Sequence, residues 1–215
     1  MRIVIADDHR LILDGLKSCF QALPNVDVVG TATNGEELLD LVLDKMPDIA
    51  VIDITMPKLN GIEACERIVT EAKGRVKVAI LTMHQDREFV NAAFKAGASG
   101  FIVKSSAFSE LGVAIKTISD GQFYISPAIS DVLVKDMLNK DESGKTNPLA
   151  ALTSRERQTF QLLAEGSSVK EISYKFGISH KTVHAHRSAI MSKLEIDNIA
   201  DLTKLAIRYG ITPIE

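Results

Sequence analysis

Five side chains in this sequence stand where charge would have to be managed. Asp7 and Asp8 follow the apolar run Ile3–Ala6, and Asp53 closes the run Ile49–Asp53. Thr82 follows Val76–Leu81, and Lys104 follows Gly100–Val103. If these runs are neighbouring strands, three carboxylates, a hydroxyl and an ammonium meet on one rim. Carboxylates held close together repel and call for a cation. All-oxygen ligation with positions left for water suits Mg²⁺. A carboxylate can also attack phosphorus and form an aspartyl phosphate. The charge of the transferring group then needs a metal and a lysine to neutralise it, and a hydroxyl to hold one oxygen.

The surrounding sequence can build that rim. Short Val- and Ile-rich runs at Ile3–Ala6, Val26–Ala32, Ile49–Asp53, Val76–Leu81 and Gly100–Val103 read as strands covered on both faces. Helical periodicity fills the gaps near Leu11–Ala22, Gly35–Lys45, Gly61–Ala72, Arg87–Ala96 and Ser109–Ser119, with Asn34 as an N-cap before two glutamates. Strict strand–helix alternation predicts a parallel sheet with right-handed crossovers. Ligands of such sheets bind beyond the C-terminal strand ends, where the five polar residues fall. The expected fold is an α/β doubly wound five-stranded parallel sheet over residues 1–122, followed by an all-α four-helix domain over 149–215. Residues 123–148 between them are read as a linker with a helix at Pro127–Leu138 and a polar stretch at Asn139–Pro148.

The second domain is predicted to hold helices at Ser154–Glu165, Val169–Phe176, His180–Leu194 and Ile199–Tyr209. Thr153 and Glu156 have capping-box spacing. Val169–Phe176, the turn Gly177-Ile178 and a helix capped by Ser179 form a bihelical unit of the kind that enters the DNA major groove. On a helical wheel Val183, Ile190 and Leu194 face the core. Lys181, His184, Ala185, Ser188 and Ser192 lie opposite, with Arg187 and Lys193 at the flanks. A small, polar, singly cationic face suits base edges, and flanking cations suit phosphates. His186 falls near the core side and is expected to pack.

Composition narrows the function classes. The chain has 215 residues, 46% hydrophobic, with a formal charge of −3, so neither a disordered chain nor a uniformly basic sheath is expected. From Leu149 onward nine Lys and Arg stand against seven Asp and Glu, while the remainder carries −5. Cys19 and Cys65 lack metal-site spacing and suit a reducing compartment. No secretory signal pattern opens the chain and no apolar run reaches membrane-spanning length, so a cytoplasmic protein without membrane association is expected.

Asp7-Asp8, Asp53-x-x-Met56-Pro57-x-x-x-Gly61, Thr82 and Lys104 resemble the receiver domain of response regulators, over roughly the first 120 residues. Leu152-Thr153-x-Arg155-Glu156 and Ser179-x-x-Thr182-Val183-x-x-His186, followed by Lys193-Leu194, resemble the LuxR-type helix-turn-helix. Together they resemble the NarL/FixJ group. The resemblance implies a flavodoxin-like receiver with Asp53 as phosphoacceptor, supplied by a histidine kinase. It implies Mg²⁺ held by Asp7, Asp8, Asp53 and the Thr55 backbone carbonyl, phosphoryl contacts from Thr82 and Lys104, and a switch formed by Thr82 and Phe101. In the output domain it implies double-stranded DNA contacts from Lys181, Thr182, His184, Ala185, Arg187, Ser188 and Lys193, and a homodimer on DNA or when phosphorylated. Catalysis beyond the receiver's own phosphorylation and dephosphorylation is not expected.

Two other classes fit the residues less well. A metal-dependent aspartyl phosphohydrolase would place a second Asp two residues after the nucleophile on the first strand, whereas this strand ends Asp7-Asp8-His9. An RNA-binding antiterminator would need a different helical output domain.

Overall fold

A computed structural model of the chain describes residues 1–130 and 148–212. The chain divides into two compact units, residues 1–143 and 144–215. In the first unit strands and helices alternate as β1 (Arg2–Ala6), α1 (Arg10–Gln21), β2 (Asp27–Ala32), α2 (Gly35–Lys45), β3 (Ile49–Asp53), α3 (Gly61–Glu71), β4 (Lys77–Thr82), α4 (Arg87–Lys95), β5 (Gly100–Val103) and α5 (Ala107–Ser119). A sixth strand, β6 (Tyr124–Ile125), then joins the sheet. The strand order is β2-β1-β3-β4-β5-β6, and every pair is parallel.

Alternation along the strands divides the core. Ile3, Ile5 and Val51 pack on one face with Leu13, Leu16 and Phe20 of α1 and Leu111, Ile115 and Ile118 of α5. Val4, Ala6 and Ile52 pack on the other with residues of α2, α3 and α4. Helices thus cover both faces, which is why the central strands are apolar except at their ends. Asn34 caps α2 by accepting the Glu37 N–H, as its sequence predicts, and Asn60 caps α3 in the same way. Most element ends fall within a residue or two of the sequence expectation.

The five-strand expectation is corrected by β6. It pairs Gly100 with Tyr124 and Phe101 with Ile125. The first compact unit therefore extends past residue 122. The Ser126 hydroxyl accepts the Val103 N–H and donates to the Glu110 carboxylate, which also accepts from the Tyr124 hydroxyl. Residues 127–130 are helical, and Ile129 is buried in the same core cluster as Phe101. The rest of the expected helix to Leu138, and all but the last residue of the stretch Asn139–Pro148, lie outside the described residues.

The second unit holds a short 3-10 turn (Pro148–Ala151) and four helices: α6 (Ser154–Ala164), α7 (Val169–Phe176), α8 (His180–Leu194) and α9 (Ile199–Arg208). Its core joins Phe160, Leu163, Ile172, Val183, Ile190, Leu194, Leu202 and Ala206. Thr153 and Glu156 form the capping box their spacing predicts. Gly177 ends α7 at φ 64, a left-handed conformation that lets the chain turn at once into α8. Ser179 caps α8 by accepting the Thr182 N–H.

Candidate functional site

The parallel register carries the ends of β1, β3, β4 and β5 to one edge of the sheet. Asp53 and Thr82 are the last residues of their strands, and Asp7 and Lys104 follow theirs directly. Asp7, Asp53 and Thr82 are buried. The Lys104 ammonium joins the carboxylates, 2.6 Å from Asp7 Oδ2 and 2.8 Å from Asp53 Oδ2. Gly61 tightens the arrangement from below: its N–H donates to the Ile54 carbonyl at 2.7 Å. A Cβ there would sit 2.0 Å from the Asp53 carbonyl oxygen, so only glycine allows α3 to approach this closely.

Burial dominates the electrostatics of Asp53. Loss of solvent pushes its carboxyl up to about 6, Lys104 pulls it back, and Asp7 adds repulsion. Lys104 itself is held above its usual value, because attraction to Asp53 and Asp7 outweighs its own desolvation. Oxygens of Asp7 and Asp8 and a ring nitrogen of His9 lie within 4.8 Å of one another. His9 is largely exposed and sits beside Asp8, with Nδ1 2.7 Å from its Oδ1. Asp53 joins this group through Lys104. Closely spaced, mostly oxygen donors suit a hard divalent cation, so Asp7, Asp8 and Asp53 fit Mg²⁺ by donor chemistry. The Thr55 carbonyl belongs to the loop directly after Asp53.

The hydroxyl of Thr82 accepts the His84 N–H at 3.0 Å. His84 belongs to none of the motifs in the sequence. Here it is half-buried, stacks on Phe89 with ring centroids 4.2 Å apart, and places Nε2 3.3 Å from the Thr55 hydroxyl. Burial lowers its pKa. It thereby ties the loop after β3 to the loop after β4, a link that no sequence pattern signals. Phe101 is completely buried on β5. Its ring, expected from the resemblance to take part in a switch with Thr82, thus already faces inward in this structure.

In the second unit Val183, Ile190 and Leu194 are buried, and Lys181, His184, Ala185, Ser188 and Ser192 are exposed, as the wheel predicts; Thr182 is exposed as well. Arg187 and His186 are half-buried. The 15 residues of α8 contain three histidines, two lysines and one arginine and no carboxylate. Lys193, expected from the sequence to lie near phosphates, has its ammonium 2.6 Å from Glu156 Oε2 of α6. Glu156 is held below the usual carboxylate range by the hydrogen bond from Lys193 and those from Thr153.

A parallel sheet with acidic strand ends, followed by a helix-turn-helix, has the make-up of a receiver joined to a DNA-binding output domain. The chain belongs to the response regulators: residues 3–116 match the response regulator receiver domain, and residues 150–206 match the luxR family of bacterial regulatory proteins. It is a two-component response regulator of the NarL/FixJ type, with a LuxR-type domain for DNA-binding transcription regulation. It is 33% identical over 213 residues to the oxygen regulatory protein NreC of Staphylococcus epidermidis, covering 97% of each chain. It is 33% identical over 216 residues to the response regulator UvrY of Escherichia coli K12, covering 100% of this chain and 97% of that one. Among solved structures it is similar to the two-component response regulator RcsB in complex with DNA. That likeness is 25% identical with a TM-score of 0.60, covering 95% of this chain and 96% of the other. Among the described residues no helix is long and apolar enough to cross a membrane.

Proposed function

We propose that Asp53 accepts a phosphoryl group from a histidine kinase and that this controls binding of a dimer to double-stranded DNA. The observation that carries the reading is the Lys104 ammonium bridging Asp53 and Asp7 at the strand ends. In the transfer an Asp53 carboxylate oxygen attacks phosphorus, and the bond from phosphorus to the donor imidazole breaks. The imidazole leaves with the electron pair and takes a proton from solvent. The raised pKa of Asp53 marks a carboxylate more basic than an exposed one, and so a better nucleophile once ionised. Lys104 then exchanges a carboxylate partner for a phosphoryl oxygen, and Thr82 turns its hydroxyl proton to another. Asp7, Asp8, Asp53 and the Thr55 carbonyl would hold Mg²⁺, which would supply positive charge against that of the phosphoryl group. Attack of water on the same phosphorus releases inorganic phosphate and restores the carboxylate, which is the only turnover the receiver performs. A cytoplasmic location goes with this role.

Thr82 and Phe101 form the switch. Phe101 is buried and pairs with Ile125 of β6, so we assign the response to repacking around β5 and β6. Such a shift is limited by how differently the phosphoryl group binds the two states. On DNA, Lys181, Thr182, His184, Ala185 and Ser188 face the bases and Arg187 the backbone. One short helix offers few contacts, so two copies on two half-sites are needed to single out a site.

The test is to phosphorylate the full chain with its kinase and map the modification by mass spectrometry. The reading expects an acid-stable, base-labile phosphate on Asp53 that Asp53→Asn abolishes. Phosphate found mainly on a serine or histidine overturns it.

A further inference from the structure

Adjacent residues at the start of α6 hold both helices of the helix-turn-helix, each at its C-terminal end. The Arg155 guanidinium lies 3.5 Å from the centroid of the Phe176 ring, and its Nη2 donates to the Phe176 carbonyl at 3.2 Å. Its Nη1 donates to Gln158 at 3.2 Å, which fixes the fork. Phe176 is the last residue of α7, directly before the Gly177 turn. Glu156 Oε2 takes three donors: Thr153 N at 2.8 Å, Thr153 Oγ1 at 3.1 Å and Lys193 Nζ at 2.6 Å. Lys193 lies in the last turn of α8.

We propose that Arg155 and Glu156 form a two-armed brace that sets the attitude of the reading helix, with Lys193 as a positioning residue of that brace. The proposal rests on the reading of α8 as the DNA-reading helix. Val183, Ile190 and Leu194 bury one side of α8, but apolar packing is non-directional and tolerates small tilts. Hydrogen bonds and ion pairs are directional, and the brace supplies them at two points. Lys193 lies 12 residues beyond Lys181, which at ~1.5 Å per residue makes a lever of ~18 Å. A small displacement at the braced end therefore moves the reading end, where base-edge hydrogen bonds need good distance and angle. The charge of Lys193 thus acts on sequence discrimination through Glu156 and not on phosphate.

The experiment uses the full chain, a duplex selected in vitro by the wild-type protein, and a random duplex of equal length. Glu156→Gln keeps a capping-box side chain, since Gln serves at that position, and removes only the charge facing Lys193. Glu156→Gln and Lys193→Gln should each lower the ratio of selected to random affinity about tenfold, a change of ~1.4 kcal/mol. Random-duplex affinity and its salt dependence should hold, and Lys193→Arg should retain the wild-type ratio. Thermal unfolding measured in parallel should leave both Gln variants folded at the assay temperature. An unchanged ratio overturns the brace. So does equal loss on both duplexes with the salt slope reduced by about one charge, which would make Lys193 a phosphate contact. So does a ratio that falls only where the domain has unfolded. Wild-type protein that selects no duplex at all refutes the DNA reading itself, and the brace falls with it.

Discussion

Replacing Asp53 with asparagine should make the metal-free receiver more stable at neutral pH. Burial, with repulsion from Asp7, outweighs the attraction of Lys104, so the carboxyl stands at about 6 against an ordinary 3.8. The shift is about two pH units, and at ~1.36 kcal/mol per unit it corresponds to ~3 kcal/mol. The sign follows from a raised value in the folded chain. Below pH 3.8 the carboxyl is protonated in both folded and unfolded chains, and its full stability is present. As pH rises through 3.8 the unfolded chain gives up its proton first. Stability falls until the folded carboxyl has also ionised, above pH 6. Asparagine stays neutral throughout. Calorimetry of the full chain in chelator, from pH 3.5 to 7.5, should show the variant and wild type converging at the acid end. They should separate by ~3 kcal/mol at neutral pH, with the variant more stable. A variant that is less stable at pH 7.5, or a difference that does not change with pH, refutes the reasoning.

Chelation of Mg²⁺ should stop phosphorylation of Asp53, and transfer at an unchanged rate in excess chelator would remove the metal from the account. Thr82→Ala should accept phosphate yet transmit it poorly to DNA binding, because Thr82 is the buried hydroxyl tied to the loop after β4. Full output from that variant would place the coupling elsewhere. His184→Ala should change preference at one base position by roughly 1–3 kcal/mol, read by competition between duplexes differing at single positions. Equal loss on all duplexes would mean that the reading face is misplaced.

The acidic site was legible because each of its residues ends a strand or follows one, and apolar runs mark strand ends well. The reading face of α8 was legible because 100° periodicity separates Val183 and Ile190 from His184 and Ser188. β6 was not, because two residues have no period to detect, and its partner β5 is set by the whole sheet. Nor was the Lys193–Glu156 pair, which joins residues 37 apart across two helices. A wheel gives the direction of Lys193 relative to its own helix and says nothing of what stands opposite. His84 was missed for the same reason. Its stacking on Phe89 and its contact with Thr55 depend on how two loops meet. The state of Phe101 was equally hidden, since an apolar residue in a strand is compatible with either rotamer.

The central claim is that a phosphoryl group on Asp53 governs where this chain sits on DNA. A genome-wide map of bound sites, made in cells with the kinase active and repeated with Asp53→Asn, tests it most directly. The account predicts discrete sites occupied by the wild-type protein and lost or strongly depleted in the variant. Identical maps, with the same sites at the same occupancy, would contradict it.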